Sequence, residues 1–215
     1  MIPVPKQPEP ENFAETVTKK ADAFLKKKNS PTGKEIHNRP YWRNALDDLY
    51  KAYNKVCAYS ALWFPRDAVT VDHYIPISVI AQSNPGLAYD WNNFRLASRS
   101  MNTEKGKFQD VLDPFLIEPG WFAMEFPSLI IKSGSDLSPG CRGKVEATIK
   151  RLKLNEKEKY IEYRHEILWD YCLLCSEYDN IDPIFNHLEK RAPFIAYELK
   201  RQGLTKEIVY MMKYP

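Results

Sequence analysis

Three short segments of this 215-residue chain carry side chains whose types and spacing suit hydrolysis at a phosphate. Val69-Thr-Val-Asp-His-Tyr-Ile-Pro-Ile-Ser78 ends a β-branched run on the pair Asp72-His73. Asn93 follows twenty residues later at the start of another short apolar run, and Asn102 nine residues after that, with Lys105 three further on. A free imidazole titrates near 6.5, so His73 is the candidate general base. Its help in taking a proton from an attacking water is typically worth about 10²–10⁴-fold. The Asp72 carboxylate and the Asn102 amide offer oxygen donors only. Such a set suits Mg²⁺ (or Mn²⁺), which binds through one or two carboxylates plus phosphates and waters, and gives no preference for zinc. With so few ligands, tight metal binding is expected only when substrate is present. A regular pleat sends neighbouring side chains to opposite faces, so bringing Asp72 and His73 to one site predicts a twist or bulge at the strand end.

These residues need a strand, a loop, a second strand and a helix to position them. The sequence predicts a hairpin from residues 57–63 and 69–74 around Pro65-Arg-Asp67, then a short strand at 93–97. Ser98 is placed to cap a short helix through Lys107. On the N-terminal side, four of the 16 prolines in the first ten residues predict an extended arm. Helical spacing of Phe13, Val17, Ala21, Phe24 and Leu25 predicts a helix over 12–28 capped by Asn12, and a second helix covers 43–54. Strands are expected within 121–131, with Pro127 marking an edge or a break. Beyond the Gly/Ser/Pro loop at 133–140 the pattern is helical, including one helix over 183–201 kinked at Pro193. The expected organisation is an N-terminal arm and helices (1–56), a central module (57–132) and a C-terminal helical region (133–215), an α+β protein.

Composition is that of an ordinary folded protein: 44% hydrophobic, 27% charged, net charge +3. Residues 1–56 carry 11 basic and 7 acidic side chains, 57–120 carry 5 and 7, and 121–215 carry 15 and 14, so a mildly acidic centre lies between basic-leaning flanks. Four cysteines without framework spacing, no apolar leader in Met1-Ile-Pro-Val-Pro-Lys and no run of membrane-spanning length predict a reduced, cytoplasmic protein that does not enter a membrane.

On Asp72-His73, Asn93-Phe-Arg-Leu96 and Asn102-x-x-Lys105, residues 57–107 resemble the HNH endonucleases, whose active site is a ββα-metal module. Asp72-His73 matches the first element, Asn93 the middle Asn, and Asn102 the third element in its Asn-for-His form. The resemblance implies catalytic roles for Asp72, His73, Asn93 and Asn102, with metal held by Asp72 and Asn102. In the family the middle Asn pins the loop that orients the His; either Asn93 or its neighbour Asn92 fits that place. Lys105 and Arg95 are then expected to meet phosphates. Many HNH proteins add a zinc held by two Cys-x-x-Cys pairs. Here those positions read Cys57-x-x-Ser60 and Ser98-x-x-Met101, so no structural zinc is expected and ordinary packing must replace it.

Cys57-Ala-Tyr59, Tyr89-Asp-Trp91, Val111-Leu-Asp-Pro-Phe115, Thr148-Ile-Lys-Arg-Leu-Lys-Leu-Asn155 and Arg164 look like a narrower subgroup, the PtuB-like nucleases of Septu-type and retron-linked bacterial antiphage systems. That resemblance implies a PtuA-like ATPase subunit as partner. It leaves open DNA, the favoured substrate, or RNA.

Residues 142–159 hold Arg142, Lys144, Lys150, Arg151, Lys153, Lys157 and Lys159 against Glu146, Glu156 and Glu158, either a nucleic-acid track or a solvated face. Lys150, Arg151 and Lys153 are the strongest candidates within it. Tyr41, Trp42 and Trp91 suit base stacking or core packing. Cys172-Leu-Leu-Cys175 sits in an apolar helical stretch and reads as packing. A non-catalytic nucleic-acid-binding or ATPase-bound adaptor that kept the same fold is the alternative to an enzyme.

Overall fold

The computed structural model describes residues 1–213, except for the side chains at 157, 158 and 213. It is a mixed helix-and-sheet chain with two separate two-stranded antiparallel sheets. The chain divides into two compact units: Pro5–Ala58 with Phe64–Gln109, and Met1–Val4 with Tyr59–Trp63 and Asp110–Pro215. This division cuts across the boundaries expected at 56/57 and 132/133. The N-terminal helices belong with the Asp-His segment, and residues 110–132 belong with the C-terminal helices.

In the first unit a wide helical turn at Ala14–Thr18 runs into α1 (Lys19–Lys27). The Asn12 backbone carbonyl, rather than its side chain, receives the first amides, those of Glu15 and Thr16. Helix α2 (Gly33–His37) opens with a capping box, in which the Thr32 and Glu35 side chains each take the other's backbone amide. A 3₁₀ turn at Tyr41–Ala45 leads into α3 (Leu46–Ala52). Strand β1 (Val69–His73) is followed by α4 (Ile77–Ser83) and two 3₁₀ turns, then β2 (Phe94–Ser98) and α5 (Arg99–Lys105). Ser98 caps α5 by accepting the Met101 amide at 3.2 Å.

The partner of β1 is therefore β2, not residues 57–63, which form turns. The apolar, aromatic character of 57–63 reflects burial instead: Cys57, Tyr59, Ala61 and Leu62 are all core. The register pairs Val69 with Ser98 and runs unbroken to Asp72 with Arg95 and His73 with Phe94. One face of this ribbon carries Val71, His73, Phe94 and Leu96, and the other carries Asp72 and Arg95. Phe13, Val17, Ile36, Leu49, Leu96 and Met101 are fully buried around it.

The second unit has a hairpin of β3 (Phe122–Glu125) and β4 (Ile130–Ser133), turning through the cis Phe126–Pro127 bond. Helices α6 (Pro139–Arg151), α7 (Glu162–Glu177), α8 (Asp182–Arg191), α9 (Pro193–Gln202) and α10 (Glu207–Lys213) follow. The single kinked helix expected over 183–201 is two helices. Proline lacks the amide that would continue α8, and Ala192 leaves helical geometry (φ −146°, ψ 68°). Among the described residues, no helix is long and apolar enough to cross a membrane.

Candidate functional site

Asp72 and His73 end β1, and α5 packs on the ribbon so that its last residue reaches back to them. Lys105 is fully enclosed, with 0% exposure. Its Nζ lies 3.1 Å from Asp72 Oδ1 and donates to the His73 carbonyl at 2.7 Å. Arg95 faces Asp72 directly across the ladder and is itself only 2% exposed. Its guanidinium donates to the carbonyls of Asn92 (2.8 Å) and Phe94 (2.9 Å) and lies 5.2 Å from the centre of the Tyr74 ring. Two residues expected to meet phosphates from solvent are thus inside the unit. The physical reason is the same for both: each extended stem packs along the ribbon, and the charge goes to nearby carbonyls, to the Tyr74 face and, for Lys105, to the Asp72 carboxylate.

His73 lies on the opposite face. The bulge expected at the strand end is absent, because the ladder stays regular through His73 and Phe94. The imidazole packs edge-on against Trp42 (4.9 Å between ring centres) and Phe94 (5.4 Å) and is 9% exposed. Nε2 lies 2.9 Å from the Ala88 carbonyl, which can only accept, so Nε2 carries the proton and Nδ1 keeps a lone pair. Burial pulls the imidazole pKa down to about 4, partly opposed by the Ala88 carbonyl and by Asp72. The ring is neutral at pH 7.

Asn93 ties the loop between the strands to the end of β1. Its Oδ1 accepts the Ile75 amide (2.8 Å), and its Nδ2 donates to the carbonyls of Ile75 (3.2 Å) and Leu87 (3.0 Å). Its backbone carbonyl takes the Tyr74 amide at 2.9 Å. Ala88, which receives His73, follows Leu87 directly, so Asn93 sets where the imidazole points. Asn92 is exposed: its amide and its side chain bond to Asp90, and its carbonyl accepts from Arg95. Of the two neighbours, Asn93 is the one that pins the loop.

Asn102 is half-buried, and its side chain makes no hydrogen bond among the described residues. It sits one turn before Lys105, whose ammonium reaches Asp72. Asp72 and Asn102 thus offer oxygen donors from β1 and α5, two elements that pack together, but the Asp72 carboxylate is buried and already held by Lys105, a setting that does not suit a divalent ion. Among the described residues no group of three or more His, Cys, Asp or Glu side chains is placed to hold a metal ion, at this site or elsewhere. In the Cys57-x-x-Ser60 and Ser98-x-x-Met101 segments, Cys57 Sγ accepts the Ser98 amide at 3.3 Å and Met101 is fully buried.

In the second unit, a groove of about 820 Å³ between β4 and α6 is lined by Lys132, Arg142, Lys150 and Lys153, with Glu146 and Glu156, over Ile130 and Ile149. Arg151 does not join it. Its guanidinium makes a two-pronged pair with Asp110 (2.9 Å for Nη2 to Oδ2). The Lys157 side chain, assigned with the others to a basic track, lies outside the described residues. Arg164, part of the narrower resemblance, is buried and donates to the carbonyls of Tyr160 and Leu154. Trp91 is core, with Nε1 bonded to the Gln7 carbonyl (2.9 Å), and Trp42 packs on His73, so neither presents a free face for a base. Cys172 is buried. Cys175 is half-buried against Tyr171, and burial raises its thiol pKa.

The residues missed by sequence reasoning are Ala88, whose role is a backbone carbonyl and leaves no mark in the side-chain pattern, and Lys132, which lies outside the 142–159 charge run. Compared with known proteins, the chain matches no family model, no curated protein and no solved structure.

Proposed function

We propose that this protein is a divalent-metal-dependent endonuclease of the HNH type, cleaving phosphodiester bonds of nucleic acid, with DNA the favoured substrate and RNA the other candidate. The observation that carries the reading is the arrangement at the end of β1: an imidazole fixed through Nε2 on Ala88 and aimed by Asn93, beside a carboxylate joined to the helix that bears Asn102. Asp72 and Asn102 would hold the metal, which supplies neutralisation of the scissile phosphate and of the leaving oxygen. His73 Nδ1 accepts the proton of the attacking water. A neutral imidazole is ready to do so at pH 7 in nearly every molecule, although one titrating near 4 is a weaker base than the optimum for neutral pH. The two side chains leave opposite faces of the ribbon, so this reading requires a phosphodiester that reaches across the strand end, with Asp72 on one side and the base on the other. The cationic groove of the second unit fits a nucleic-acid backbone. The narrower resemblance further suggests a nuclease subunit of a bacterial antiphage system, working with a PtuA-like ATPase.

The test is His73→Ala in the purified chain, assayed with Mg²⁺ on mixed DNA and RNA, with and without a co-expressed ATPase. Cleavage should vanish while nucleic-acid binding and the circular dichroism spectrum persist; retained cleavage ends the reading. Burial of Lys105, Arg95 and most of His73 favours a second reading, a nucleic-acid-binding or ATPase-bound adaptor of the same fold. EDTA separates the two: it stops a nuclease and leaves an adaptor's binding unchanged.

A further inference from the structure

We propose that Lys20, Lys27, Arg39 and Tyr41 form a groove that holds single-stranded nucleic acid, with phosphates on the cations and an unstacked base on the Tyr41 ring. This rests on the reading of the protein as one that acts on nucleic acid, and narrows it to strands whose bases are free.

The groove, about 610 Å³, belongs wholly to the unit that carries His73. One side is a face of α1, where Lys20, Phe24 and Lys27 follow at helical spacing. The other comes from Arg39, just past α2, and Tyr41, which opens the next 3₁₀ turn. Lys20 and Lys27 stand two helical turns apart, about 10 Å along the axis, so the cations form a line rather than a point. A line of charge suits the successive phosphates of a chain better than a single anion. Lys20, Lys27 and Arg39 are all exposed, and among the described residues the two lysine ammonium groups make no ion pair or hydrogen bond. Arg39 donates to the Asn38 carbonyl and lies over the Phe24 ring at 5.8 Å, which leaves its charge uncancelled. The acid in the lining, Glu35, is already taken by Lys28 at 2.8 Å and by the Thr32 amide and hydroxyl. Three positive charges are therefore left for a ligand. Tyr41 is half-buried, its ring tilted against Tyr89 at 5.8 Å between centres. Stacking on such a ring needs a base whose faces are uncovered, as in a single strand and not in a duplex. An acidic peptide or a lipid headgroup would use the cations and leave the ring idle. Tyr89 in turn meets Trp42 at 5.9 Å, and Trp42 meets His73 at 4.9 Å. Three ring contacts thus separate the groove from the imidazole, a span that a strand of a few nucleotides covers.

The experiment is fluorescence anisotropy on the full chain in EDTA, which prevents metal-dependent cleavage, with one labelled oligonucleotide sequence presented as single-stranded DNA, single-stranded RNA and duplex DNA. Replacing both lysines (Lys20→Ala with Lys27→Ala) should weaken single-strand binding about tenfold or more. It should also lower the log–log salt slope by about 1.4, since each phosphate contact to a single strand is worth about 0.7. Tyr41→Leu should weaken single-strand binding about fivefold or more and leave duplex binding unchanged, and Tyr41→Phe should restore the loss. The two lysines are exposed, so the double variant keeps the native circular dichroism spectrum; should Tyr41→Leu unfold, the lysine pair and its salt slope decide alone. Binding of DNA alone or of RNA alone upholds the groove and names the substrate. A wild type that binds neither, an unchanged affinity and slope in the lysine variant, or equal losses for duplex and single strand in a folded Tyr41→Leu overturns it. If cleavage with Mg²⁺ persists alongside that result, the nuclease reading survives and only the groove falls. If the groove behaves as expected and His73→Ala still cleaves, the groove stands and the nuclease reading falls.

Discussion

Replacing Lys105 by Met removes the ammonium while keeping most of the apolar stem, and the structure sets what should follow. The lost group is fully buried, and it serves two acceptors, the Asp72 carboxylate at 3.1 Å and the His73 carbonyl at 2.7 Å. Breaking a buried ion pair by deleting one partner costs about 3–5 kcal/mol, because the remaining charge stays out of water without its counter-ion. Asp72 is only 2% exposed, so that range applies here, with Arg95 opposite it holding the loss toward the lower end. We expect about 3 kcal/mol from urea denaturation of the unit that contains β1 and β2, seen as a lower midpoint with an unchanged slope. The partner change Asp72→Asn removes the stranded charge. Lys105→Met combined with Asp72→Asn should therefore be less damaging than the sum of the single changes by at least about 1 kcal/mol. A cost under about 1 kcal/mol for Lys105→Met, or single effects that add to within about 0.5 kcal/mol, would refute the claim that these charges are coupled inside the fold.

His73 sets a pH dependence of stability. Its pKa falls from near 6.5 in an unfolded chain to about 4 in the fold, so the unfolded state takes up the proton first on acidification. The neutral-ring contribution of about 3 kcal/mol is fully present above pH 6.5 and is lost as pH falls from there to 4. Urea midpoints of wild type and His73→Gln should converge over that window, and a constant difference would contradict the assignment. Asn93→Ala, which removes three hydrogen bonds, should cost about 2–3 kcal/mol in thermal melts, whereas Asn92→Ala should cost under about 1 kcal/mol; equal losses would overturn the pinning role. For nucleic-acid binding, Lys150→Ala and Lys153→Ala should each lower the log–log salt slope by about 1. Arg151→Ala should leave that slope alone because Asp110 already holds its guanidinium; a drop equal to that of the lysines would put Arg151 back on the track.

Much was legible along the chain because it is local. Ser98 reads as a cap and caps α5, Pro193 reads as an obstacle to a helix and stands where α8 gives way to α9, and Pro127 reads as a break in a strand and lies in the turn between β3 and β4. Asn93 closes the turn that leads into β2, one residue short of the strand start its spacing predicted, and Asn102 falls within α5 as expected. Pairing was not local. Residues 57–63 are apolar and aromatic enough to read as a strand yet form buried turns, since such residues mark burial as readily as strand.

Which cations meet solvent was decided only by tertiary structure. Lys105 and Arg95 look like phosphate ligands in a linear reading, but the packing of α5 on the ribbon encloses both and turns them on Asp72 and Tyr74. His73 shows the same division. Its type and place at the end of a strand were in the sequence. Its tautomer and its low pKa come from the Ala88 carbonyl and the rings of Trp42 and Phe94, of which only Phe94 is near any of the site residues in sequence. Burial and electrostatics are sums over neighbours, and most of those neighbours are chosen by the fold rather than by adjacency along the chain.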